Sequence, residues 1–258
     1  MKISLIQTDL KWEDKKANFS RFQDLLLPLK GKTDLVILPE MFSTGFSMSA
    51  EKLSEDPGGE TFRWMSDMAG KGHFGICGSY IVRENEKYFN RFVFVGPDSS
   101  SYYYDKRHLF SMGGEDRCFS PGMNRLIFTY KDFRISPYVC YDLRFPVWSR
   151  NRNEYDLAIY CANWPEPRIN VWDVLLRARA MENQCFVAGC NRIGTDGSGV
   201  NYTGLSQVIN YKGENIGSLT VGREDVLTAD MPLIELNEFR KKFNTLKDAD
   251  DFDLRLDL

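Results

Sequence analysis

The chain opens on alternating apolar and polar residues at positions 2–8 (KISLIQT), the period of a half-buried strand. Phe19, Phe22, Leu25, Leu26 and Leu29 then recur at helical spacing and stop before Gly31, which predicts an amphipathic helix. An apolar run at 34–40 (DLVILPE) predicts a second strand that ends on Pro-Glu. Residues 41–58 keep no period, and 60–71 predict a helix with Phe62, Met65, Met68 and Ala69 facing inward. Strands are expected at 74–82, 91–95 and 101–104, the last two joined by a turn at Pro97-Asp98. A long irregular stretch from 107 to 125 is too extended for a simple connection, so a functional loop is expected there. The next strand, 133–139, runs into Cys140; the polar pair Tyr141-Asp142 breaks it, and a helix is expected to begin beyond. Strands at 156–162, 184–191, 205–210, 215–220 and 225–229 and helices at 171–182 and 233–243 complete the pattern, leaving 244–258 as a tail without core periodicity. Strands and helices alternate at both ends with consecutive strands between, and no linker or repeat interrupts them. The expectation is one layered α/β domain over 1–258.

Composition narrows the field. With 258 residues, 43% hydrophobic and 14% aromatic, the chain carries enough apolar surface for a large core, which excludes a disordered protein. A net charge of -3 from 33 basic and 36 acidic residues gives no electrostatic reason to expect a nucleic acid or a membrane as partner. A small molecule is the expected ligand. The first residues lack a leader pattern and no apolar stretch is long enough to span a bilayer, so a cytoplasmic protein is expected. Six cysteines without CxxC spacing and only two histidines argue against a metal centre and against disulfides. The glycine-rich GTDGSGVNYTG lacks the GxGxxG pattern between strand and helix, so no dinucleotide and no other cofactor is expected.

Three reactive groups fall just past predicted strand ends: Glu40, Lys106 and Cys140. Open α/β sheets build their sites at such ends. A thiol at a bend between strand and helix lies near free backbone N–H groups and the positive end of the helix, which favour thiolate and can hold a negative oxygen. Cys140 alone also fits a buried structural thiol. The ordered set of acid, ammonium and thiol is what an amide demands, because its hydrolysis needs a nucleophile, an oxyanion donor and a proton for the departing nitrogen.

The stretches PEMFSTGF (39–46), DKRHLF (105–110) and CYDLRFP (140–146) resemble the three catalytic blocks of the nitrilase superfamily of carbon-nitrogen hydrolases, and ANWP (162–165) and LLRARAMENQCFVAGCNRIG (175–194) extend the likeness over nearly the whole chain. The resemblance implies a four-layer α-β-β-α sandwich that pairs through its sheets as a homodimer or higher homo-oligomer, with the tail 244–258 reaching a partner subunit. It implies Cys140 as nucleophile, Glu40 as general base, and Lys106 with the Tyr141 backbone N–H as oxyanion donors. A second glutamate after the lysine is implied to position it: Glu115, with Asp116 adjacent as the other reading. Arg144, four residues past the nucleophile, either grips a substrate carboxylate or pairs with Asp142 or Asp173. Among the branches the motifs look most like the ω-amidases, which act on 2-oxoglutaramate and 2-oxosuccinamate; Phe42, Phe46 and Trp164 would line the space between the two ends of such a substrate. Another branch (a nitrilase or an N-carbamoyl amino acid hydrolase) and a non-catalytic binding protein of the same fold are the alternatives.

Overall fold

In the computed structural model, which describes residues 1–256, strand β1 (Lys2–Gln7) buries both of its faces. After it come α1 (Lys15–Leu26), β2 (Leu35–Ile37), α2 (Ala50–Leu53), α3 (Glu60–Gly72), β3 (Gly75–Glu84), β4 (Lys87–Val95) and β5 (Ser101–Asp105). The short helix α4 (Glu115–Cys118) leads to β6 (Phe128–Tyr130), β7 (Phe133–Val139), β8 (Leu157–Ala162), α5 (Ile169–Glu182) and β9 (Phe186–Asn191). A small hairpin, β10 (Ile193–Thr195) and β11 (Asn201–Thr203), precedes β12 (Gln207–Ile209), β13 (Asn215–Ser218), β14 (Asp225–Asp230) and α6 (Leu233–Lys242).

The strands form two six-stranded sheets, in the orders β14-β1-β2-β3-β4-β5 and β13-β12-β9-β8-β7-β6. Each has a parallel centre, β1-β2-β3 in one and β7-β8-β9 in the other. Side-chain alternation assigns the faces. Ile3, Leu5, Leu35, Ile37, Phe92 and Phe94 point from the first sheet into a core shared with Ile135, Val139, Ile159 and Ala188 of the second. Their neighbours Ile6, Val36, Leu38, Ile76 and Val93 point the other way, onto Phe22, Leu26, Met65 and Met68 of α1 and α3. Across the seam the Cys190 sulfur of β9 lies 3.4 Å from the Ile6 carbonyl and 3.3 Å from that of Ile37. Helix α5 covers the outer face of the second sheet with Trp172, Leu176 and Ala180. The layers are therefore helix, sheet, sheet, helix, the α-β-β-α sandwich.

Two expectations change. No α-helix follows Cys140: the chain makes a 3-10 turn over Cys140–Arg144 and leaves it at Phe145, with φ -115 and ψ 89. Pro146 holds the preceding residue in extended geometry and so stops the helix. Strands β3 and β4 also run longer than their apolar pattern, meeting at a two-residue turn with positive φ at Asn85 (49) and Glu86 (61). That tip, Arg83 to Lys87, carries charge because it projects beyond the core. In the tail, Thr245–Asp248 form one 3-10 turn and the Phe252 ring packs 4.6 Å from the Arg152 guanidinium, while 257–258 lie outside the described residues.

Candidate active site

The parallel strands of both sheets deliver their carboxyl ends to one place. Glu40 follows β2, Lys106 follows β5, Cys140 follows β7 and Asn163 follows β8. The Lys106 Nζ donates to Glu40 Oε1 at 2.8 Å and to the Glu115 oxygens at 2.9 and 2.8 Å. Asn90, from the middle of β4, donates its Nδ2 to Glu40 Oε1 (2.8 Å) and Glu115 Oε1 (3.0 Å), clamping the two carboxylates at a fixed separation. The Asn163 backbone N–H donates to Glu40 Oε2 at 2.9 Å and its Nδ2 to the Glu40 carbonyl at 2.6 Å. Thus a residue of the second sheet fixes the carboxylate carried by the first. The Cys140 Sγ sits 3.8 Å from the Asn163 carbonyl oxygen.

Cys140 is held in left-handed backbone geometry, φ 45, a conformation that costs a non-glycine residue about 1–2 kcal/mol and persists only where neighbours enforce it. Asp142 enforces it. One oxygen accepts from the Val139 N–H (3.0 Å) and the Tyr104 hydroxyl (2.8 Å), and the other from the His108 N–H (3.0 Å), with the His108 Nδ1 2.8 Å away. The elbow is therefore tied to β5 and to the segment that follows Lys106. Tyr141, in the first turn after the strand, keeps a backbone N–H without an intrahelical acceptor, the kind of donor an oxyanion needs.

A cavity of about 190 Å³ opens onto Cys140 and Lys106 and is walled by Phe46, Tyr141, Arg144 and Trp164 among others. Phe42 is the exception among the expected wall residues. It lies fully buried in the outer core, 5.5 Å from the Phe22 ring and 5.7 Å from that of Trp64, because the chain leaves β2 in a turn over 40–44, with Met41 at φ 43, that directs Phe42 toward α1 and α3 while Glu40 stays in the site. Of the two acids after the lysine, Glu115 is buried in the cluster and Asp116 is exposed. Arg144 pairs with neither carboxylate considered for it: Asp142 is bonded to His108, and Asp173 to Arg177. Its guanidinium lies 5.2 Å from the Trp164 ring and 6.0 Å from that of Tyr141.

The family model for carbon-nitrogen hydrolases matches residues 2–241. The chain belongs to the carbon-nitrogen hydrolase family. It is 44% identical over 256 residues to an omega-amidase, YafV of Escherichia coli strain K12, with 98% of each chain covered. It is 30% identical to a 2-oxoglutaramate amidase of Bacillus subtilis strain 168, over 95% of this chain and 96% of the relative. A solved structure of a family member from Xanthomonas campestris, XC1258, superposes with a TM-score of 0.96 at 42% identity, covering 99% of both chains.

Within this family member the electrostatics overturn one expectation from the sequence. Burial first, and then the Glu40 carboxylate, push the Cys140 thiol well above its ordinary value, and the opposing effect of Lys106 does not offset them. The 3-10 turn is too short to supply a helix dipole that would reverse this. Cys140 thus rests as a thiol and needs a base. Burial works against the Lys106 ammonium, but Glu115, Glu40 and Cys140 together raise its proton affinity. Lys106 stays a cation. Glu115 is raised by burial and by Glu40, against the pull of Lys106: one ammonium between two carboxylates neutralises only one of them.

Several parts of the site carried no sequence signal that singled them out. Asn90 sits inside a strand, Asn163 and Asp142 read as turn formers, and Asn191 reads as a strand end. Asn191 accepts from the Trp164 N–H at 2.7 Å and donates to the Trp164 carbonyl at 3.0 Å, which holds the turn carrying Asn163. The hairpin β10–β11 was visible only as a glycine-rich loop, yet Asp196, Ser198 and Val200 at its tip wall the cavity. A polar residue one step past each of several strands was the available clue.

Proposed function

We propose that the protein is an amidase that hydrolyses the terminal amide of a small 2-oxo dicarboxylic acid monoamide, 2-oxoglutaramate or 2-oxosuccinamate, to the acid and ammonia through a thioester on Cys140. The observation that carries this reading is a combination within one cavity: a thiol backed by buried Glu40, Lys106 and Glu115, facing an arginine, Arg144, that has no carboxylate partner among the described residues. The relatives named omega-amidase and 2-oxoglutaramate amidase support it.

The chemistry follows from the geometry. Glu40 accepts the thiol proton as the Cys140 sulfur bonds to the amide carbon, and the carbonyl electrons move onto oxygen. The oxyanion is held by Lys106 and the Tyr141 N–H. When it collapses, the carbon–nitrogen bond breaks and Glu40 returns the proton to the nitrogen, which leaves as ammonia. Glu40 then takes a proton from water as that water attacks the thioester, and the thiolate leaves reprotonated. Glu115 and Asn90 hold Lys106 and Glu40 in place throughout, while Arg144 receives the far carboxylate.

Incubation with 2-oxoglutaramate should release ammonia and 2-oxoglutarate in equal amounts, and acid quenching followed by mass spectrometry should find the acyl group on Cys140. Turnover of nitriles or N-carbamoyl amino acids with none of the oxo acid amides would reject the substrate assignment. We further propose a cytoplasmic homodimer or larger homo-oligomer in which the tail 244–258 contacts the partner. Light scattering of the full chain tests this, and a monomer would reject it.

A further inference from the structure

A second guanidinium shares the cavity with Arg144. Arg168 ends the 3-10 turn Glu166–Arg168 and lines the same wall as Cys140, Tyr141 and Trp164. The Trp164 indole organises both cations: its ring face lies 5.2 Å from the Arg144 guanidinium, and its Nε1 donates to the Arg168 carbonyl at 2.7 Å. The Arg168 guanidinium lies 5.3 Å from the Phe110 ring. Phe110 in turn is fixed by its N–H, which donates to Glu115 Oε2 at 2.6 Å, and by edge-on packing against Tyr141 at 5.1 Å.

Neither arginine has a carboxylate within ion-pair distance among the described residues. Asp196, the acid on the same wall, accepts from the N–H groups of Ser198 (2.8 Å) and Val200 (3.0 Å) and from the Tyr202 hydroxyl (2.8 Å). Stacking on an aromatic face uses none of a guanidinium's N–H donors, so both cations keep theirs for a ligand. Two forks on one small cavity exceed what a lone carboxylate needs.

We propose that Arg168 is a specificity-determining residue: with Arg144 it grips the carboxylate and the adjacent 2-oxo oxygen of the substrate, and its charge rejects the corresponding 2-amino acid amide. This rests on the amidase reading above. A 2-oxo acid presents acceptors only, three oxygens in one plane, and two planar donors match them. Glutamine or asparagine would instead place an ammonium where the second guanidinium lies. Like charge and a donor facing a donor disfavour it, and the loss falls on binding more than on the chemical step.

Two measurements test the assignment. The first compares wild type, Arg168→Gln and Arg168→Lys on 2-oxoglutaramate, glutamine and the neutral amide butanamide. Arg168→Gln should raise KM for 2-oxoglutaramate about tenfold or more with kcat within about threefold, change butanamide hydrolysis far less than that, and reduce discrimination against glutamine about tenfold; Arg168→Lys should recover part of each. The second needs no turnover. 2-Oxoglutarate should protect Cys140 from iodoacetamide better than glutamate or glutarate does, and Arg168→Gln should weaken that protection about tenfold. Equal losses on charged and neutral amides, or protection unchanged by Arg168→Gln, would overturn the role. If wild type hydrolyses no oxo acid amide but Arg168-dependent protection is seen, the amidase substrate falls and the two-arginine site stands.

Discussion

Glu115 shows why the cluster tolerates so little change at the level of single atoms. One of its oxygens accepts from Asn90 and Lys106, the other from Lys106 and the Phe110 N–H, so every neighbour is a donor. In Glu115→Gln the amide NH₂ must face a donor whichever way it is turned. We expect a loss on the order of 3 kcal/mol in stability, read by denaturant unfolding, and a fall in kcat of about a hundredfold or more. A variant with wild-type stability would show that Glu115 is not locked in this network. Cys140 offers a separate test of the electrostatics. Because burial and Glu40 hold its proton on, alkylation by iodoacetamide should climb steadily as pH rises toward the alkaline range. A rate already level at neutral pH would mean a stored thiolate and refute the base role of Glu40. At this scale the sequence was legible where chemistry restricts residue type: acid, ammonium and thiol each end a predicted strand. It was silent on Asn90, Asn163 and Asp142, because a buried amide or acid that orients a neighbour has the same letters as one that shapes a turn.

Among the elements, the strand ends matter more than the helices, and behind Lys106 two stretches of backbone lie directly against each other. Gly122 donates its N–H to the Lys106 carbonyl at 2.9 Å, and a Cβ placed on it would lie 2.1 Å from the Asp105 carbonyl oxygen. Only a glycine allows the loop after α4 to lie against the end of β5. Gly122→Ala should therefore displace the backbone that carries Lys106, lowering kcat by about tenfold or more at a stability loss of about 1–3 kcal/mol. Unchanged kinetics would show that the loop, and not the strand, absorbs the clash. The elbow teaches a related lesson about legibility. A strand followed by polar residues predicted a helix after Cys140, but Pro146 and the bonds of Asp142 confine the chain to one 3-10 turn. Local pattern identified the bend and its thiol; what the bend becomes is set by contacts to Tyr104 and His108, more than 30 residues away.

Taken whole, the molecule separates chemistry from anchorage along its strands. Asn163 lies past the carboxyl end of β8 beside Glu40, whereas Asp156 lies before its amino end, about 23 Å away at roughly 3.3 Å per residue. Asp156 accepts from the Arg134 N–H and guanidinium on β7 and from Arg240 Nη1 at 2.6 Å, and Arg240 also donates to the carbonyls of Gln184 and Tyr155. This knot fastens α6 to the second sheet. Burial disfavours the Asp156 charge, but the bonds from Arg134 and Arg240 prevail and hold its proton affinity below the ordinary carboxylate range. A carboxyl lowered on folding binds protons more readily in the unfolded chain, so it stabilises the fold at any pH above its unfolded value, near 3.8, and loses that contribution as pH falls through its folded value. Asp156→Asn should therefore lower Tm at neutral pH and flatten the acid limb of the stability curve below about pH 4, where the wild type keeps losing stability. Its kcat on the oxo acid amide, measured below its Tm, should match wild type. Thermal melts across pH combined with ammonia release check both halves: a wild-type Tm would dismiss the anchor, and a fallen kcat in a folded variant would show that the two ends of the sheet are coupled.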